Sequence, residues 1–343
     1  MRRYLPIFLL AVFLLVTAVI STTLLAGLAN KAGPDSYGSL VVYTTLPVEQ
    51  ATVLAETFEE AHRIKIKLIS VTEDEVLEKL AAEPQLQRGD IILAKSTVLE
   101  AVKQAGYLAP YASIHTDIIP RRFTDANDFW TGVWYDPIIF AVNQDFLASR
   151  KQPPVKWLDL IDSGIRLAIS DFLATDATAN LYCTLATIHG PEWALNYFAK
   201  LHPQIVQYSK FLATPIRMVG MGEADLAIAV HSEALRYVAD GFPIKIIYPV
   251  EKTSYTLVGV GLLKGSNNTG AKQFIDWLVQ DNAYLALYKN KFMFIPTNPA
   301  ANIFHEHPYW KKLRLADCSQ KLTGVERQKL LDDWVQKVRL SGS

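Results

Sequence analysis

Three groupings in this 343-residue chain copy part of a catalytic or metal-binding pattern, and each breaks it at the residue the chemistry needs. The run Gly-Ser-Asn-Asn-Thr-Gly-Ala-Lys from Gly265 has the glycines of a phosphate-cradling loop. Ala271, however, stands where that loop needs a lysine, and Lys272 stands where a hydroxyl should reach magnesium. His305, Glu306 and His307 set two imidazoles two residues apart, not at the four-residue spacing that turns both toward zinc on one helical face. His231 and Glu233 could begin a metal site, but no third ligand accompanies them. Neither a Gly-x-Ser-x-Gly elbow nor paired cysteines occur. The expectation is a protein that is not an enzyme and holds no cofactor and no metal.

Other polar residues are placed to bind rather than to react. Thr44 and Thr45, then Lys95, Ser96 and Thr97, then Thr175, Asp176 and Thr178, and finally His231 and Ser232 each follow a short apolar run and precede an amphipathic one. In open parallel sheets a ligand lies beyond the carboxyl ends of the strands, where helix N-termini point free N–H groups. A hydroxyl in such a turn can also simply cap its own helix, so the expectation rests on their convergence. Lys95 together with helix N-termini favours an anionic ligand. Asp176 would repel a bare anion and fits one that also carries a hydroxyl or amine. Trp134, Tyr135, Asp136 and Tyr255 fall on the two longest β-prone runs, where aromatic faces could line a cleft; core packing is the other role open to Trp134.

Positioning these turns requires an α/β fold. The spacing predicts strands at 39–43, 64–68 and 90–94, and a helix over 47–62 with Ala51, Leu54, Ala55 and Phe58 on one face. Thr72 with Glu75 reads as a capping box, and a helix over 96–105 should end at Gly106. The same alternation resumes over 166–248. Between the two blocks run two long apolar stretches, 132–143 and 254–264. The predicted organisation is one lobe from 38–135 plus 260–343, a second from 144–253, and hinge strands at 136–143 and 254–259. The final helix, 326–338, is assigned to the first lobe.

Arg2 and Arg3 precede a stretch, 4–30, without a charged side chain. As a helix, 5–28 would be roughly 36 Å long and could cross a bilayer core of about 30 Å. Gly27 and Ala29 also have the small-residue spacing of a signal cleaved after Ala29. Segment 1–30 is thus a signal peptide or a retained anchor, and either sends the rest of the chain out of the cytoplasm. Lys plus Arg equals Asp plus Glu at 34 each, which gives no reason to expect a nucleic-acid partner. Cys183 and Cys318 lack metal-ligand spacing and read as small buried groups rather than a disulfide.

The order of LVVYTTLPVEQ, GDIILAKS, AGYLAPY, WTGVWYDPIIFAVN, PPVKWLDLID, GEADLAIAV, GVGLLKGSNNTGAKQFIDWLV and LLDDWVQKV over nearly the whole chain resembles the family 1 extracellular solute-binding proteins of ABC importers. That group includes binders of ferric iron, phosphonates and sugar phosphates. The resemblance implies a type II periplasmic-binding-protein fold whose two lobes close over a small-molecule ligand and hand it to ABC permease subunits. Iron binders of the family use a first-loop His, a Glu after the third strand and a tyrosine pair. Here those places hold Pro47, Lys95 and His231-Ser232-Glu233, and no adjacent tyrosines exist anywhere in the chain. The resemblance therefore implies an anionic ligand such as a phosphate ester, phosphonate or carboxylate. A ferric-iron binder working without tyrosines and a membrane-tethered periplasmic sensor are the alternative readings.

Overall fold

The computed structural model of the protein describes residues 39–84, 88–161, 164–316 and 322–340. Segment 1–30 and Cys318 lie outside them. Among the described residues no helix is long and apolar enough to cross a membrane. The chain opens with β1 (Leu40–Thr44), α1 (Val48–His62), β2 (Ile66–Ser70), α2 (Val76–Ala82), β3 (Ile91–Lys95), α3 (Ser96–Gln104) and β4 (Leu108–Ala109). It continues through β5 (Thr131–Asn143), α4 (Gln144–Ala148), β6 (Leu167–Ser170), α5 (Asp176–His189), α6 (Pro191–Leu201), β7 (Ile205–Ser209), α7 (Ala213–Gly220), β8 (Leu226–Val230), α8 (His231–Ala239) and β9 (Ile244–Ile247). It ends with β10 (Tyr255–Leu263), α9 (Thr269–Leu278), α10 (Asp281–Lys289), β11 (Ile295–Pro296), α11 (Asn302–Glu306) and α12 (Gly324–Trp334).

β1 pairs in parallel with β2 and β3, β10 runs antiparallel to β3, and β5 runs antiparallel to β10. The second half of β5 then pairs antiparallel with β8 and β9, and β6 joins β8 and β7 in parallel. One 13-residue strand, roughly 40 Å long at about 3.3 Å per residue, therefore belongs to both sheets. The change of partner falls at Pro137, the last residue paired with β10, and Ile138 is the first paired with β8. A proline has no N–H to donate, so it fits where one ladder stops and the next begins.

Alternation along β5 builds two cores from one strand. Ile138, Phe140 and Val142 face a cluster with the large side chains of α5 and α6, including Leu181, Tyr182 and Phe198. Ile139 and Ala141 face the opposite way, into a smaller cluster rich in alanine (Ala168, Ala227, Ala229) under α7 and α8. The first sheet has its own core, in which Phe58 of α1 packs edge-on to Phe274 and Trp277 of α9.

Two expectations about boundaries need correction. Residues 138–142 pair with β8 and 140–143 with β9, so this stretch is part of the second sheet rather than a crossing between lobes. The terminal helix does not join the first lobe. Leu330, Leu331 and Trp334 of α12, with Val338 beyond it, complete the core of the second, and the Trp334 ring lies 4.4 Å from that of Phe172. Periodicity identifies an apolar helical face but carries no address for the core it enters. Cys183 is a free, buried thiol on α5.

Candidate functional site

The carboxyl ends of both sheets open on a cleft of about 620 Å³. One wall is the turn from β1 into α1 (Thr45 to Pro47, with Gln50) and Lys95 at the end of β3. The other wall is the start of α5 (Thr175 to Ala177) and the segment from Lys210 to Ala213 that opens α7, with Glu233 of α8. Trp134 and Asp136 of β5 and Thr256 and Val258 of β10 form the floor, with Phe294 beside them. The first turns of α1, α5 and α7 thus all border the cavity, and the N–H groups of those turns contribute partial positive charge to its walls.

Of the residues expected to bind ligand, Thr45, Lys95, Thr175 and Asp176 line this cleft. Lys95 is already engaged: its Nζ stands 2.7 Å from Glu73 and 2.6 Å from Asp176 across the gap. Burial opposes its charge, but the two carboxylates outweigh that and raise its pKa. Burial likewise opposes the charge of Asp176, and Lys95 and Arg327 bring its pKa down. Arg327, from α12, completes the chain of charges at 3.4 Å. Lys95 therefore serves as a strut between the walls. The cleft cation that sequence reasoning missed is Lys210, which has no carboxylate partner among the described residues and lies 5.9 Å from the Phe211 ring.

The remaining candidates are turned away from the cavity. Thr44 is buried, donating to the Leu93 carbonyl at 3.0 Å and accepting from the Leu46 N–H at 3.1 Å. Ser96 is buried and Thr97 exposed on α3. Thr178 is buried against the hydroxyl of Thr175, 2.7 Å away. Tyr135 stacks on Phe123 with ring centroids 4.8 Å apart and meets Tyr255 edge-on at 6.0 Å. Tyr135 borders a separate hollow beside Trp310, away from the cleft. The cause is strand parity: Trp134 and Asp136 point one way, so Tyr135 points the other, and on β10 Thr256 and Val258 face the cleft where Tyr255 does not.

His231 opens α8 fully buried, with the Met293 backbone as a polar neighbour of its ring. Its ring packs against Tyr248 and Trp310, and burial, with His307 adding to it, pulls its pKa down to about 3. Ser232 spends its polar groups on Asp136. The Ser232 N–H donates to Oδ1 at 2.9 Å and its hydroxyl to Oδ2 at 2.6 Å. Burial pushes the Asp136 carboxyl up to about 7 despite those two donors and the His231 N–H. Among the described residues no group of three His, Cys, Asp or Glu side chains could hold a metal ion.

Residues 53–314 match the family model described as bacterial extracellular solute-binding protein. An uncharacterized protein of Haemophilus influenzae is 29% identical over 337 residues, covering 94% of this chain and 97% of its own. The periplasmic binding protein AfuA from Actinobacillus pleuropneumoniae, solved with fructose 6-phosphate, superposes with a TM-score of 0.69 at 27% identity, covering 89% of this chain and 100% of that one. A putative extracellular solute-binding protein from Bordetella parapertussis reaches a TM-score of 0.75 at 16% identity over 88% of this chain and 98% of its own. Iron-bound HitA from Pseudomonas aeruginosa reaches 0.68 at 18% identity over 86% and 99%. With two α/β sheets sharing β5 and a cleft between their strand ends, the chain belongs to the bacterial extracellular solute-binding proteins, has the type II periplasmic-binding-protein fold, and is a transport receptor for an ABC importer rather than an enzyme.

Proposed function

We propose that the solute delivered to the ABC permease subunits is a small anion of the phosphate-ester, phosphonate or carboxylate class. The observation that carries this reading is the meeting of Lys210, unengaged by any carboxylate among the described residues, with the first turns of α1, α5 and α7 around one cavity. Helix N-termini and a lysine together stabilise a bound anion by charge-assisted hydrogen bonds. The buried, unpartnered hydroxyl of Thr45 on the opposite wall offers a further donor. AfuA, which binds fructose 6-phosphate, supports the same chemistry at 27% identity. Calorimetry with fructose 6-phosphate, an alkylphosphonate, a dicarboxylate and ferric citrate tests it. Binding of one of the first three is the expected result, while a preference for ferric citrate or a failure of all four would end the proposal.

Arg2, Arg3 and the uncharged stretch after them support export to the outer face of the membrane. Cleavage after Ala29 would free the receptor, and retention would tether it to the inner membrane. N-terminal sequencing of protein taken from its host separates the two, a start at Asn30 signifying cleavage.

A further inference from the structure

Asp136 differs from the other carboxylates of the cleft. Asp176 is paired with Lys95, and Glu233 with Arg236, whereas among the described residues no lysine or arginine is paired with Asp136. It sits on β5 one residue before the change of partner, opposite Thr256 of β10, with part of its surface open to the cavity. A carboxylate offers about four lone-pair sites. Ser232 occupies one on each oxygen and the His231 backbone N–H adds a third donor, which fixes the group and leaves about one lone-pair site for a donor from the cavity side. The titratable groups around it give it no counter-charge. From α8 come Glu233, whose negative charge disfavours ionisation, and the neutral His231; from the segment after β9 comes the phenol of Tyr248. β10 contributes the uncharged Thr256.

We propose that Asp136, held by Ser232, selects solutes that carry a hydroxyl or amine beside their anionic group, and that its carboxyl gives up a proton to solvent when such a solute enters. The proposal rests on the anionic reading of the cleft and adds the second feature of the ligand. Burial holds this carboxyl at about 7, so near neutrality a fraction is protonated. A donor from the solute stabilises the ionised form and draws the equilibrium toward it. The proton leaves as the O–H or N–H of the solute takes its place against the carboxylate, and no other reactant is needed.

The experiment is calorimetry of the purified protein with fructose 6-phosphate and with inorganic phosphate at pH 6, 7 and 8. Two buffers of different ionisation heat are used, so that the protons released on binding are counted. A free phosphate ester titrates with a second pKa of about 6 and inorganic phosphate somewhat higher, but each free probe does so identically with every variant, so the wild-type and Asp136→Asn proton counts are compared probe by probe. Asp136→Asn should lower the preference for fructose 6-phosphate over inorganic phosphate roughly tenfold or more, and should reduce the protons released. Ser232→Ala, by removing one donor to the carboxylate, should move the affinity profile to higher pH. If Asp136→Asn keeps both the wild-type preference and the wild-type proton count, the proposal is overturned while the anionic reading stands. If wild type binds neither probe at any pH, the anionic reading has failed and takes this inference with it. Should Asp136→Asn not fold, the shift in Ser232→Ala and the wild-type proton count decide: an unshifted profile with no release beyond that of the phosphate rejects the role.

Discussion

Asp136 and His231 are neighbours, His231 adjoining the serine that bonds Asp136, and their ionisations pull stability in opposite directions. The carboxyl, at about 7 when folded and near 3.8 when unfolded, takes up its proton first in the folded state, so it adds stability as pH falls from 7 toward 4. The imidazole, near 6.5 unfolded and about 3 folded, takes up its proton first in the unfolded state, so it removes stability over much of the same range. The wild type should therefore show a nearly flat dependence between pH 5 and 7. Asp136→Asn should leave a stability that declines on acidification, and His231→Gln one that rises. Urea unfolding at pH 5, 6 and 7 reads both slopes, and parallel curves for all three proteins would contradict this account. A second prediction at this scale concerns Lys210. Lys210→Met should weaken binding of fructose 6-phosphate roughly tenfold, as expected for loss of one charge-assisted bond, measured by the same calorimetry. The turns that carry the site were legible in the sequence because apolar runs ending in Thr, Lys or Asp announce strand ends. Which neighbour faces the cavity was not, because parity along β5 and β10 depends on where each ladder starts. Tyr135 and Tyr255 were therefore expected at the cleft beside Trp134 and Asp136, and Thr256, which lines it, was not named. Lys210 was missed for another reason: it lies in a short turn whose direction only the packing of α7 decides.

Among the elements, β10 shows how closely the two halves of the floor are fitted. The pairing with β5 slips between Val258 and Gly259, and a Cβ at Gly259 would stand 2.7 Å from the Thr131 carbonyl and 3.0 Å from Leu99. Gly259→Ala should cost about 1–3 kcal/mol by overpacking, seen as a lower urea midpoint with an unchanged slope. Helix 48–62 was readable to within a residue, because Ala51, Leu54, Ala55 and Phe58 recur on one face at the 3.6-residue period and Pro47 precedes it. The address of α12 was not readable. Its apolar residues fit any exposed aromatic face, and it is the cluster of Phe172 and Tyr208 that receives Trp334. Trp334→Ala should destabilise the protein by about 3–5 kcal/mol. Hydrogen exchange should show the loss on α5 and α6, with the first sheet little changed.

At the scale of the whole molecule, Glu73, Lys95, Asp176 and Arg327 form a line of alternating charge across the mouth of the cleft. Glu73 and Lys95 belong to the side of the first sheet, Asp176 and Arg327 to that of the second. Because Lys95 is 30% exposed, the link is worth little as stability in isolation, but it acts on an equilibrium between open and closed forms that differ by only a few kcal/mol. Lys95→Met should raise the radius of gyration of the ligand-free protein in solution scattering, and added salt should do the same to the wild type. Equal radii for wild type and variant at low salt would show that the strut does not hold the walls together.

The placement of α12 also has a practical use. Ile114, 75% exposed in the segment that bonds Asp276 of α9, moves with the first sheet, and Val325, 80% exposed on α12, moves with the second. Fluorophores attached at these two positions, neither of which lines the cavity, would change their energy transfer as the halves rotate, which makes the receptor an optical sensor for its own cargo and a means of screening a metabolite library without labelling any compound.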